Sequence, residues 1–598
     1  MAKSPDKAPP TPPAAPASAA KPSSRRVVVD PVTRIEGHLR IEAETDANNV
    51  ITRASSSGTM VRGIEIIMKG RDPRDAWAFT QRFCGVCTVS NSVAAVRAVE
   101  YALGYTIPPN AEIIRNLMMA TQFVHDHVVH FYHLHALDWV DIMSSLKADP
   151  AKTAKLQQSI SAWPNNSTEY FAGVLAKLKG FAAGGQLGIF ANGYWGHPEY
   201  RLPPEANLLA VAHYLEALAW QREVIKVHTV FGGKNPHPNF VVGGVPCAFR
   251  ANATGTTGLG AEDMLLVSNL IAKMQKFVNE VYLPDTLAIG SFYKDWSTRG
   301  EGVGNFISYG EFPLGPDWSD PKRRLFPAGV ILNRDLSKIL PLDPEDPSEI
   351  QEYVSHSWYD YSKGRNIPLH PYDGETVLRY TGPQPPYEFL DVDHSYSWIK
   401  SPRWRGLPME AGPLSRVLIA YAAGDATVRG LVDHALGQLG LPRAALFSTL
   451  GRVVARTLET KFIADAMTGM YGALASNIQR GELATFSDAM FEPKTWPKKA
   501  RGVGLMEAPR GALAHWISIE DGKISNYQAV IPTTWNAGPR DARGREGPYE
   551  ASLRGHKLHD PEQPLEILRT IHSFDPCLAC AVHIVDPNGK ELVRVKIQ

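Results

Sequence analysis

The chain has 598 residues, 44% of them apolar and 21% charged, a composition that suits an ordinary folded protein with room for a large core. Its 62 basic and 61 acidic side chains are spread along the whole length and leave a net charge of +1, so neither nucleic acid nor an acidic membrane surface is indicated as a partner. The longest apolar stretches, such as LLAVAHYLEALAW, are broken by His, Glu or Gln well before the ~18 residues a membrane span needs; no transmembrane helix is expected.

Residues 1–26, rich in Pro, Ala, Ser and Lys and without aromatic or large aliphatic anchors, read as a disordered tail. The adjacent Arg25 and Arg26 do not open an export signal, because the following VVVDPVTRIEG reaches Asp30 after three valines and not after an apolar run of roughly 7–15 residues. From Val27 to about Ser57, alternations such as HLRIEAE and NVITRASSS predict strands joined by a turn at DANN.

Helical periodicity then takes over. NSVAAVRAVEYAL, the long stretch from AEIIRN to SSLKA, EANLLAVAHYLEALAWQREVIKVHTVF and AEDMLLVSNLIAKMQKFVNEVY all carry apolar residues at three- and four-residue spacing. PLSRVLIAYAAGDATVRGLVDHAL and LFSTLGRVVARTLETKFIADAMTGMYGALASNI continue the pattern. Between them, residues 284–406 are rich in Gly, Pro, Asp, Tyr and Trp with little periodicity, which predicts irregular structure with short strands. AHWISIEDGKISNYQAV reads as a hairpin turning at Asp521 and Gly522. Periodicity thus supports a mainly helical chain with peripheral sheet.

Four of the five cysteines stand in two CxxC pairs: Cys84 and Cys87 in QRFCGVC, and Cys577 and Cys580 in DPCLAC. Zinc ribbons bring such pairs together within ~15–20 residues, whereas these lie near opposite ends of the chain. A thioredoxin-type redox site needs only one pair. If the four thiolates converge, they form a soft, electron-rich metal cage. Cys247 has no partner at ligand spacing and reads as a small buried residue.

Charged groups stand near these pairs: Glu36 in DPVTRIEGHLR, Glu65 in VRGIEIIMKGRDPRDAW and Arg510 in EAPRGALAHW. Together with RFCGVC, HDHVVHFYHLHALDW, FGGKNPHPN, SHSWY, NYQAVIPTTWNAGPRD and DPCLACAVH, these motifs resemble, in order, those of nickel-iron hydrogenase large subunits, most closely the membrane-bound uptake type. The resemblance runs from about Arg26 to His583.

It implies an α+β, mainly helical fold with a long central helix bundle and small peripheral β-sheets, residues 27–583 forming one catalytic domain. It implies Cys84 and Cys577 as terminal nickel thiolates, Cys87 and Cys580 as bridges to iron, and carbon monoxide and cyanide as further iron ligands. The reaction would be heterolytic oxidation of H2, for which a Lewis-acidic centre and a nearby base are needed. Cys577 would be that base, with Glu36 passing the proton on. Arg510 would stand over the open metal position, oriented by Asp126 and Asp575. Glu65, His583 and the backbone carbonyl of Ala529 would hold a magnesium-type ion; for Glu65 a salt bridge to an arginine is the plainer alternative. Residues 584–598 would be a peptide removed after His583 by a maturation endopeptidase.

One position departs from the family pattern: four residues after Cys87, where the family has histidine, stands Asn91. Asparagine also donates a hydrogen bond but cannot carry charge. The histidines at 125, 127, 130, 133 and 135 spread around a helix, and no two stand four apart as a helical ligand pair does. With four cysteines assigned to the cage, Cys247 alone remains, too few to hold an iron-sulfur cluster. The resemblance supplies an iron-sulfur small subunit carrying the export signal and a membrane cytochrome b leading to quinone, which would place the protein on the periplasmic side of the membrane. The alternative is an H2 sensor with slow turnover, which in this family generally lacks the cleavable C-terminal peptide. The metal-free quinone-binding relatives have lost the cysteine pairs.

Overall fold

The structure is a computed structural model that describes residues 25–185, 187–191, 193–250, 257–314, 323–383 and 389–578. The N-terminal sheet is antiparallel, with strands Arg25–Val29, Leu39–Thr45 and Ile51–Gly58 in sequence order. Arg25 and Arg26 pair with Thr45 and Glu44, so the first strand takes in the last two residues of the segment read as a tail; residues 1–24 lie outside the described residues. The DANN turn forms because Asp46 Oδ1 accepts from the Asn48 and Val50 N–H groups at 2.8 and 2.9 Å, and Asn49 takes a left-handed conformation (φ 60°).

The centre of the molecule is a pair of buried helices, Pro109–Val129 and the 31-residue Thr449–Gln479, packed along each other. The stretch expected to run as one helix through residues 111–148 is broken after Val129 by a π-turn, His130–His135, and a 3-10 turn, Ala136–Asp138. No proline causes the break. His130, His133 and His135 are instead tied through Nε2 to the carbonyl oxygens of His572, Tyr214 and Arg569 at 2.7, 3.1 and 3.1 Å, long-range contacts that local periodicity does not carry.

Helices Pro204–Val224 and Lys226–Gly232 follow one another, as do Pro413–Ala423 and Ala426–Leu439. The latter pair is separated by Gly424 at φ 91° and capped by Asp425, whose side chain accepts from Val428 N–H. Ala261–Phe277 passes through a π-turn into Leu283–Phe292. Pro284 lies near the junction with the π-turn and cannot donate to the Glu280 carbonyl, which accepts from the Ser161 hydroxyl instead, and helix extends into the segment read as irregular. Beyond it, short strands dominate as expected. Helices that periodicity does not predict include Pro150–Ile160 and Thr168–Ala183, capped by the side chains of Asp149 and Ser167.

The second sheet carries strands Lys499–Ala508, Gly511–Glu520 and Lys523–Val530, antiparallel and in that order. The predicted hairpin turns at Asp521 and Gly522, both at positive φ (48° and 74°). Its first strand lies directly on the helix Ser90–Leu103. A Cβ on Gly504 would stand 1.9 Å from Ala94 O, and one on Gly502 2.4 Å from Ala98 O. Glycines facing alanines let the two backbones touch, and this seats the sheet against the helix entered from the first cysteine pair.

Candidate metal centre

Cys84 follows the 3-10 turn Gln81–Phe83, and its Sγ accepts from the N–H groups of Val86 and Cys87, both at 3.2 Å. Backbone donors aimed at a sulfur favour the thiolate over the thiol. Cys577 is delivered from the other end of the chain, after the helix Leu565–Ser573. Its N–H donates to Thr533 Oγ1 at 3.0 Å, and its Sγ lies 3.4 Å from Cys84 Sγ and 3.7 Å from Cys87 Sγ. All three sulfurs fall within 4.8 Å of one another; they are buried and are not joined as disulfides. Among the described residues this is the one cluster of donor atoms close enough to hold a metal. Its soft sulfur set fits a transition metal such as nickel or iron better than a hard cation. Cys580 and His583 lie outside the described residues.

Glu36 joins the same cluster. Its backbone forms a parallel bridge with Cys577, through Glu36 N to Pro576 O at 3.3 Å and Leu578 N to Glu36 O at 2.7 Å. The bridge brings Glu36 Oε2 within 3.3 Å of Cys577 Sγ, which donates to it. Arg510 occupies the tight connection between the first two strands of the second sheet, and its Nη1 donates to Asp126 Oδ2 at 2.9 Å. Its Nε lies 3.1 Å from Asp575 Oδ1. Burial alone would disfavour the guanidinium charge, yet Asp575, Asp126 and the sulfurs of Cys577 and Cys87 raise its pKa well above the ordinary value. Burial pushes the Asp575 carboxyl up to about 6, against the opposing pull of Arg510 and Arg456.

Glu65 stands apart from this cluster, in the first turn of Ile64–Met68. Its Oε1 accepts from Ala529 N–H at 3.0 Å, and its Oε2 accepts from the Thr376 hydroxyl and lies 3.2 Å from Lys400 Nζ. The salt bridge weighed for Glu65 therefore exists, with a lysine in place of an arginine. Lys400 also donates to Gln528 Oε1 at 2.6 Å and lies 3.7 Å from Glu352 Oε2. Glu65, Glu352 and Lys400 line a cavity of about 40 Å³. Burial pushes the Glu352 carboxyl up to about 7. Lys400, Glu352 and Gln528 were not foreseen, since each is a lone polar residue in an aromatic or strand-forming segment.

Asn91 is buried in the first turn of Ser90–Leu103, and its Oδ1 lies 3.2 Å from His515 Nε2. Burial lowers the His515 pKa to about 3, so the ring is neutral. Tyr527 OH donates to its Nδ1 at 2.7 Å, which leaves Nε2–H to donate to Asn91. The histidines between 125 and 135 are each engaged by protein groups. Besides the three tied to backbone carbonyls, His127 Nε2 contacts Glu459 at 3.0 Å and His125 Nδ1 contacts Asp126 at 3.2 Å. Cys247 is half-buried, and desolvation pushes its thiol up to about 12.

Sulfurs gathered from both ends of a chain, a carboxyl on one of them and a guanidinium locked between two aspartates define a thiolate-ligated metalloenzyme. The nickel-dependent hydrogenase family model matches residues 62–583, and a HoxL-like model matches residues 26–57. The chain is 54% identical over 588 residues to the uptake hydrogenase large subunit of Rhizobium leguminosarum bv. viciae, covering 96% of this chain and 98% of that protein. It is 52% identical over 585 residues to the hydrogenase-1 large chain of Escherichia coli K12, with the same coverage. Among solved structures, a reduced, active form of the Ni-Fe-Se hydrogenase from Desulfomicrobium baculatum superposes with a TM-score of 0.72 at 32% identity, over 94% of this chain and 100% of that one. The chain belongs to the nickel-dependent hydrogenase family, as a large subunit and an oxidoreductase. No helix among the described residues is long and apolar enough to cross a membrane.

Proposed function

We propose that this chain oxidises H2 as the catalytic subunit of an uptake hydrogenase, with Cys84, Cys87, Cys577 and Cys580 holding a nickel-iron centre whose iron carries carbon monoxide and cyanide. The observation that carries the reading is the meeting of three buried sulfurs, from opposite ends of the sequence, within 4.8 Å. When bound, such a centre supplies a Lewis-acidic, redox-active place for H2. The Cys577 sulfur takes up a proton, and the Glu36 carboxylate, 3.3 Å away, receives it. Arg510 holds a fixed positive charge beside the sulfurs, its direction set by Asp126 and Asp575. Burial of Cys577, Arg510, Asp126 and Asp575 excludes water from them and strengthens the interactions they make.

Glu65, the Ala529 carbonyl and His583 would be the protein ligands of a magnesium ion, which would supply a fixed positive charge. Electrons leave through an iron-sulfur small subunit to a membrane cytochrome b, on the periplasmic side to which the pair is exported. A maturation endopeptidase removes residues 584–598. The relatives named as uptake hydrogenases favour turnover over sensing. The test is nickel, iron and zinc content of the chain purified with its partner, with intact mass from the same sample and allowance for the partner's iron. Nickel near one per chain with a mass ending at His583 is expected; zinc in place of nickel, with Gln598 retained, overturns the reading.

A further inference from the structure

Outside the residues placed at the centre, the fold buries another arginine whose donors are all used. Arg416 lies in the helix Pro413–Ala423 and is fully buried. Its Nε donates to Glu459 Oε2 at 2.9 Å and its Nη2 to Glu459 Oε1 at 2.7 Å. Nη1 donates to Glu507 Oε2 at 2.6 Å and to Ala508 O at 2.9 Å, and Nη2 also donates to Pro509 O at 2.7 Å. These bonds engage all five N–H groups of the guanidinium.

Two of the acceptors are the carbonyls that immediately precede Arg510. Glu459, the bidentate partner, also bonds His127, the neighbour of Asp126, and Phe123, on the same helix, lies against the Arg416 guanidinium with its ring centroid 5.0 Å away. One mount therefore holds the backbone that presents Arg510 and the helical turn that presents its carboxylate partner. The mount has no slack: a Cβ on Gly511 would stand 2.6 Å from Gly412 N, and one on Gly412 would stand 3.3 Å from Arg510 O. Stability is a poor reason for such a cluster, since buried ion pairs are often replaced by apolar side chains without loss. Geometry is a better one, because a planar fork fixes several acceptors at once and an ammonium does not.

We propose that Arg416 is a positioning residue for the reaction: it sets the direction of the Arg510 guanidinium against Asp126 without touching the metal centre. This rests on the reading of Arg510 given above. The test compares Arg416→Lys, Arg510→Lys and the double variant in the holoenzyme with its partner subunit. Arg416→Lys is expected to keep its nickel, lower kcat for H2 oxidation about tenfold or more with KM little changed, and show Arg510 displaced from Asp126 in a crystal structure. In the Arg510→Lys background the same substitution is expected to cost no more than about twofold, because the group it positions is gone. An equal loss in both backgrounds, or an undisplaced Arg510, overturns the proposal. Parent activity in Arg510→Lys alone would instead sink the reading of Arg510. Should Arg416→Lys not fold, Glu459→Gln, which keeps one carbonyl acceptor, is put through the same cycle and judged by the same outcomes.

Discussion

Gly504→Ala adds one methyl group where the strand Lys499–Ala508 rests on the helix Ser90–Leu103. The new Cβ would stand 1.9 Å from Ala94 O, 2.5 Å from Ala98 N and 2.9 Å from Ala94 C. All three are helix backbone atoms, so no rotamer change relieves the contact, and strand and helix must part by about an ångström or more. Overfilling a packed core costs about 1–3 kcal/mol, and a backbone clash belongs at the upper end of that range. The functional effect is larger, because the helix is entered from Cys87 and the strand leads into Arg510. A shift of about 1 Å between reacting groups costs on the order of a hundredfold in rate. The assay is H2-dependent dye reduction by the purified holoenzyme, alongside nickel content and the half-life of thermal inactivation. Gly180→Ala is the control: it lies in the helix Thr168–Ala183 with nothing within 4 Å of a new Cβ, and Ala there is worth about 1 kcal/mol in helix propensity. A Gly504→Ala protein with the parent's rate and half-life would refute the claim that this contact sets the spacing of the centre.

Glu36→Gln removes the proposed proton acceptor at 3.3 Å from Cys577 Sγ; H2 oxidation should fall by about 10²–10⁴ with nickel content unchanged, and an unchanged rate would route the proton elsewhere. Asn91→His takes the amide oxygen away from His515 and should shift the midpoint potential of the nickel signal at constant nickel content, while a potential equal to the parent's would exclude Asn91 from tuning the centre. Burial pushes the Glu550 carboxyl from its ordinary 4.5 up to about 7, so the folded protein holds a proton that the unfolded chain releases. The parent should therefore lose about 3 kcal/mol relative to Glu550→Gln as pH rises from 4.5 to 7, with no further change above it; parallel stability profiles of the two proteins, by thermal unfolding at several pH values, would contradict this.

What the sequence could announce was what short-range chemistry controls. The Asp-Gly pair named its hairpin because both residues must accept positive φ, and the caps at Asp149 and Ser167 are equally local signals. The strand Lys499–Ala508 was hidden by Gly502 and Gly504, which interrupt its alternation and are also the reason it can touch the helix. The π-turn at His130–His135 is set by carbonyls hundreds of residues away, so a helical pattern alone reads straight through it. At the site, cysteine spacing announced a soft metal cage, but that the two ends of the chain meet came only from the family resemblance. The lysine beside Glu65 had no local sign at all, since Lys400 reaches it from a distant segment.

The meeting of the chain ends also fixes Glu36, the proposed proton acceptor, and the contacts around it say how. His572 is held at both ring nitrogens, with Nδ1 2.6 Å from Asp138 Oδ2 and Nε2 2.8 Å from Thr33 O. Arg34 bonds the other oxygen of Asp138 and the carbonyl of Leu134. The segment that carries Glu36 is thus held to the π-turned helix by Arg34 and to the helix before Cys577 by His572. The Glu36–Cys577 bridge then closes the arrangement by backbone bonds. A carboxylate placed by a single flexible stem would sample many distances from the sulfur. Here the backbone on both sides of the pair is anchored to the same buried carboxylate, so the 3.3 Å contact is a property of the fold, not of one side-chain rotamer.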